Sequence, residues 1–118
     1  MTHTLHITIY FENKIDLIFL EKVVTLFDPK RTVDLNSDDY VTYLPKTFKG
    51  MGVVVNLKFG NKNYKESVFD LMVKANKIND NWSINGPLKL RKYMFRMILN
   101  TQDISEGVNG IHLTLFKE

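Results

Sequence analysis

Leu5, Ile7, Ile9 and Phe11 alternate with Thr4, His6, Thr8 and Tyr10, and the same rhythm returns at Ile111, Leu113 and Leu115, with His112 and Thr114 between them. Successive side chains of a strand point to opposite faces, so period two marks a strand buried on one side and wet on the other. A third run, Gly52 to Phe59, sets Val53, Val55, Leu57 and Phe59 against Val54, Asn56 and Lys58. Three such strands call for a sheet with one covered face, and the chain must supply the cover.

Two segments qualify as the cover. Asn13 stands where an N-cap belongs, with Asp16 three residues on to favour a first turn, and the spacing predicts a helix from Lys14 to about Phe27, stopped by Asp28-Pro29. Its polar residues Lys14, Glu21, Thr25 and Asp28 form a narrow stripe. Leu17, Leu20, Val24 and Phe27 line one side, and Ile15, Phe19, Val23 and Leu26 much of the rest. That arc is wider than one sheet contact requires, so Leu17, Leu20, Val24 and Phe27 are a candidate partner or dimer face. Asn63 with Glu66 opens a second helix, along which Tyr64, Val68, Leu71, Ala75 and Ile78 recur at helical spacing.

Elsewhere the pattern is weaker. Asn36-Ser37-Asp38-Asp39 is turn chemistry, and Tyr40 to Leu44 reads as a short strand before Pro45. Gly60-Asn61 breaks the strand that precedes it. Asn79 to Gly86 reads as a loop holding Trp82. Leu88 to Leu99 fits either a helix that gathers Leu90, Tyr93, Met94, Met97 and Ile98, or a strand with Tyr93, Phe95, Met97 and Leu99 on one face. Its Leu, Lys, Arg and Met content tips the expectation to helix. Asn109-Gly110 between Val108 and Ile111 predicts a hairpin turn, with Ile111 to Phe116 paired to Asp103 to Val108.

The expected fold is therefore α+β: a ferredoxin-like or split-βαβ two-layer sandwich. It would have an antiparallel or mixed sheet, two main helices on one face, and a C-terminal hairpin. Residues 1–118 are expected to form one domain, since 118 residues leave room for one hydrophobic core.

Composition excludes more than it selects. Cysteine is absent, which removes disulfides, thiolate metal sites and cysteine nucleophiles. The apolar stretch from Ile15 to Phe27 carries Asp16, Glu21 and Lys22 and is too short to span a bilayer. The opening Met-Thr-His-Thr lacks the basic region of an export signal, so the expected location is the cytoplasm, away from membranes. Lysine supplies 13 of the 16 basic residues, a Lys/Asn/Ile flavour typical of AT-rich bacterial or phage genes. A net charge of +3 is compatible with nucleic acid without arguing for it.

Leu5-His6-Ile7-Thr8-Ile9 and Ile111-His112-Leu113-Thr114-Leu115 share one pattern of apolar, His, apolar, Thr, apolar. Within each, the His and Thr project from the same face, about 7 Å apart along the strand. This resembles the two-histidine phosphoesterases, whose signature is a pair of His-x-Thr strands; the likeness is confined to residues 5–9 and 111–115. It implies that His6 and His112 act as general base and general acid on a phosphodiester, while Thr8 and Thr114 bind its oxygens. The plainer reading makes all four ordinary residues of a wet strand face.

That face has a further use. Tyr10, Lys58 and Phe116, with His6 and His112, would give stacking and charge to bind RNA on a sheet, although the aromatic signature of such domains is missing at Gly50-Met51-Gly52-Val53. Lys89, Arg91, Lys92 and Arg96 read as a solvated helix face. Gly50-x-Gly52 precedes a strand and reads as a turn, not a phosphate loop. His3 lies near a fraying end, Asp38-Asp39 cap a turn, and Met51, Met72, Met94 and Met97 fill the core. No metal site and no cofactor is expected. The residues favour a protein-binding module, an inhibitor or immunity-type protein that neutralises another protein by occlusion or meets a second copy of itself. A phosphodiester-acting enzyme or an RNA-binding sheet is the alternative.

Overall fold

A computed structural model describes residues 3–31, 33–44, 50–60, 63–89, 93–100 and 107–117, with 85–89 and 93 described through their backbone alone. The elements run β1 (His3–Phe11), α1 (Leu17–Phe27), β2 (Tyr40–Tyr43), β3 (Met51–Phe59), α2 (Tyr64–Ala75), β4 (Ser83–Lys89), β5 (Tyr93–Leu99) and β6 (Val108–Phe116). The strands form one six-stranded antiparallel sheet in the order β2-β3-β1-β6-β5-β4. The architecture is α+β, and its strand order is not that of a simple four-stranded split βαβ.

The alternation in β1 appears in the burial without interruption. Leu5, Ile7, Ile9 and Phe11 are enclosed, whereas Thr4, His6, Thr8 and Tyr10 are half-buried on the other side. Register carries that division across the sheet: Ile7 stands between Val55 and Leu113, and Ile9 between Val53 and Ile111. Both helices lie on the inner side. Leu20, Val23, Val24 and Phe27 of α1 join Tyr64, Leu71 and Ala75 of α2 in one core cluster with the inward strand residues. Each fully enclosed aliphatic side chain there stabilises the fold by roughly 1.5–3 kcal/mol.

Both helix starts depend on capping, but only one falls where the sequence places it. Asn63 caps α2, its side chain accepting the Glu66 N–H at 2.8 Å. For α1 the cap is Asp16 rather than Asn13, and the helix begins at Leu17 rather than Lys14. The Asp16 carboxylate accepts the N–H groups of Ile18 and Phe19 at 3.0 and 3.1 Å. The chain leaves the end of β1 through residues 12–14, and the Glu12 N–H bonds to the Gly107 carbonyl at 2.8 Å, so these residues are unavailable to the helix. At the far end Asp28 stops α1 as expected, its N–H closing on the Val24 carbonyl at 2.9 Å.

The largest departures lie in the C-terminal third. Residues 83–89 and 93–99 are strands, so neither a helix over Leu88 to Leu99 nor a loop reaching Gly86 occurs. Helical propensity there spans only tenths of a kcal/mol per residue, whereas pairing with β6 buries Phe95, Met97 and Leu99 on the core side. Pro87 sits in the edge strand β4 at a break in its register with β5, the kind of place a strand tolerates proline. Asn109-Gly110 does not turn the chain. It lies inside β6, where the register with β1 shifts between Tyr10 and Phe11. The strand antiparallel to β6 in sequence is β5, and the expected partner over Asp103 to Glu106 lies outside the described residues, as do Pro45, Asn61, Leu90, Arg91 and Lys92.

Three side chains tie the layers together. The Tyr64 hydroxyl donates to the Leu115 carbonyl at 2.6 Å, and burial pushes its pKa up to about 12. Trp82 donates its ring N–H to the Ala75 carbonyl at 3.0 Å, which fastens the chain after α2 to the helix end. His3 is not at a loose end but buried, edge-on to Tyr64 with ring centroids 5.4 Å apart. Gly50 introduces β3 at φ +120°, and a Cβ there would meet the Phe11 carbonyl oxygen.

Candidate binding face on the open side of the sheet

The outward residues of five strands line up in rows across the sheet. One row runs Lys58, Thr4, Phe116, Met94; the next Asn56, His6, Thr114, Arg96; the third Val54, Thr8, His112, Ile98; the last Gly52, Tyr10, Gly110. Neighbouring strands lie about 4.8 Å apart, so each four-residue row spans roughly 14 Å. Val41 and Tyr43 of β2 extend the face beyond β3. No described helix covers it, because both pack on the other side.

The two His-x-Thr pairs meet in this register. His6 stands opposite Thr114 and Thr8 opposite His112, so the imidazoles are diagonal neighbours on adjacent strands, with Cα atoms roughly 7–8 Å apart. Each ring already has an aromatic neighbour. His6 packs edge-on to Phe116 at 4.9 Å between centroids, and His112 edge-on to Tyr10 at 5.1 Å. Tyr10 also meets Tyr43 edge-on at 6.5 Å. Tyr43 covers Gly52 closely enough that a methyl group there would sit 2.5 Å from its Cζ. Glycine at that position keeps the far end of the face flat enough for the two tyrosines to meet.

Burial depresses both imidazoles. His6 lies below the usual imidazole value because burial disfavours its charged form. His112 is lowered by burial first and by the positive charge of Arg96 second. Both rings are therefore neutral near pH 7. Burial, together with a hydrogen bond to Tyr10, pushes Tyr43 up to about 12. Among the described residues the positive charges on this face are Arg96 and Lys58, the latter donating to Thr4 Oγ1 at 3.3 Å. None of the outward residues in these rows is acidic.

The remaining sequence candidates are placed as follows. Of the α1 row, Leu20, Val24 and Phe27 are enclosed by the chain's own sheet and only Leu17 is open, at 53% exposure. The breadth of the α1 arc is taken up internally, since Phe19 packs edge-on to Phe11 and Ile15, Phe19 and Leu26 flank the same core. Ile18, at 81%, is exposed beside Leu17 at the start of this helix. Asp39 forms an ion pair with Arg31 and belongs to a hydrogen-bonded turn with Ser37. Met97 is in the core, whereas Met94 lies on the open face.

Arg96 is the face residue that sequence reasoning misplaced, on a helix with Lys89, Arg91 and Lys92. The alternation of Phe95, Met97 and Leu99 was the signal that could have put it beside Met94 and Ile98. Among the described residues no group of three His, Asp or Glu side chains is placed to hold a metal ion, and no helix is long and apolar enough to cross a membrane. Comparison with protein-family models, with curated proteins and with solved structures finds no match.

Proposed function

We propose that this protein is a protein-binding module of the inhibitor or immunity type, which neutralises its partner by covering a working surface with the open face of its sheet. One observation carries the reading: a face uncovered by either helix gathers Tyr10, Tyr43, Phe116, Met94 and Arg96, with no carboxylate in its rows. Aromatic residues, methionine and arginine are the types enriched at interface centres. The positive charge selects a partner with an acidic surface and steers its approach. The run β2-β3-β1-β6 with its two helices supports a split-βαβ core in the ferredoxin-like manner, with β5 and β4 as an extension that widens the face. A chain without cysteine suits the reducing cytoplasm of a bacterial host or its phage.

Photo-crosslinking in the host cell tests this. A photoreactive residue at Ile98 or Val54 is expected to capture the partner, and one at Phe69, which is 65% exposed on α2, is not. Capture from Phe69 alone would move the working surface to the helices and overturn the proposal.

The register of the two His-x-Thr pairs favours a second reading, an enzyme acting on phosphodiesters. Acid–base catalysis requires one imidazole to be protonated, however, and both are held below their usual value. The discriminating assay is turnover of a 2′,3′-cyclic phosphate panel by wild type, His6→Ala and His112→Ala. No turnover is expected. Activity abolished by either substitution would establish the enzyme instead.

A further inference from the structure

The open face carries an unbalanced charge at its middle. Arg96 is half-buried in β5, and the polar contact of its guanidinium is Met94 Sδ at 3.9 Å, a weak acceptor. Among the described residues the one ion pair is Arg31–Asp39; Asp39 borders the row at Asn56, whose N–H its carbonyl accepts at 3.0 Å, and its carboxylate is held by Arg31, so no described carboxylate pairs with Arg96. A guanidinium cannot shed its proton. His112, diagonal to it across β5 and β6, gives up charge instead. Thr114 stands between Arg96 and His6, and beyond His6 lies Asn56, whose Oδ1 is buried without a hydrogen-bond partner.

We propose that Arg96, flanked by His112 and His6, is the anchor for a carboxylate presented by the partner, so that an acidic side chain is the partner's central contact. This rests on the protein-binding reading above. The planar guanidinium matches a carboxylate in two parallel hydrogen bonds, and the Thr114 hydroxyl adds a donor beside it. A carboxylate seated there reverses the local field. It favours the protonated form of both imidazoles, and a protonated His6 has a second N–H to offer Asn56 Oδ1.

Binding then takes up protons, and affinity rises as pH falls. Among the described residues the other charged or titratable groups on this face are Lys58 of β3, Tyr10 of β1 and Tyr43 of β2; the acidic residue that borders it, Asp39 beside Asn56, is ion-paired with Arg31. Tyr43, pushed up to about 12 by burial, does not ionise in the range concerned.

The probe is an end-capped hexaglutamate peptide, titrated into the full chain while the imidazole resonances of His6 and His112 are followed by NMR. Affinity is expected to rise about tenfold between about pH 7.5 and about pH 5.5, with both histidine midpoints moving up on binding. Arg96→Gln should weaken binding at least about tenfold with the spectrum of the fold retained, and Arg96→Lys should restore part of it. Lys22→Gln, on the exposed side of α1, should change nothing. Equal weakening by Lys22→Gln, no effect of Arg96→Gln, or affinity independent of pH would each overturn the anchor. So would inorganic phosphate displacing the peptide at lower concentration, which would assign the site to phosphate. If the peptide fails while crosslinks from Ile98 persist, the anchor falls and the protein-binding reading stands; if the crosslinks are absent, that reading falls.

Discussion

The two faces of the sheet are made by the same strands and obey different rules. On the inner face of β1 and β6, Leu5, Ile7, Ile9, Leu113 and Leu115 are all enclosed, and any partner they have is another hydrocarbon. On the outer face of those strands, His6, Thr8, His112 and Thr114 sit one residue away in sequence and carry side chains that can hydrogen-bond. The inner face is held by area removed from water, and its hydrocarbon side chains do not titrate. The outer face is held by little and is free to respond to charge. Stability and recognition are thus separated by the thickness of one sheet.

The sharpest test of that separation is a pair of neighbours. Leu113→Ala should destabilise the fold by about 3 kcal/mol in urea denaturation, because a fully enclosed leucine leaves a cavity. His112→Ala, one residue earlier, should change stability by only about 0.5 kcal/mol or less. Equal losses would end the distinction between the faces. Tyr64→Phe is expected to fall between them at about 1 kcal/mol, the net worth of its bond to the Leu115 carbonyl. Asp16→Ala should cost about 1 kcal/mol through the lost cap of α1, a helix that belongs wholly to the inner layer.

The smallest expected effect is on pH. Both outer histidines titrate lower in the folded chain than in the unfolded one, so the unfolded state takes up protons first as pH falls. Their contribution to stability is complete above the ordinary imidazole value of about 6.5 and is lost on acidification through their lower folded values. Replacing both by alanine should flatten the stability curve between about pH 7 and about pH 5. A curve left unchanged would show that the outer rings are fully solvated.

How much of this was legible depends on whether a segment's neighbours resemble it. β1, β3 and β6 declare themselves because a strand with one wet face must alternate, and α2 because Asn63 and Glu66 mark its start. Residues 93–99 do not, since Phe95, Met97 and Leu99 alternate while Leu, Lys, Arg and Met content favours a helix. The choice is made by β6, which would otherwise lack a neighbour on one side, and no local window contains that fact. Asn109-Gly110 misleads for the same reason, because turn propensity is local and the pairing of β6 with β1 is not. The site was half legible. The repeated His-x-Thr pattern pointed to one face, while Arg96 stayed hidden until its strand was assigned.

The place of β6 has a consequence in time as well as in space. It is the last element of the described chain, yet it lies inside the sheet, between β1 and β5, pairing Thr4 with Phe116. A nascent chain therefore emerges from the ribosome with β1 and β3 able to pair but with the other edge of β1 bare, its backbone groups on that edge unpaired until β6 is made. Contacts between such distant segments close slowly, and folds dominated by them take milliseconds to seconds. Until β6 has been made, the strand that carries His6 is an open edge, the form in which chains most readily pair with the wrong neighbour.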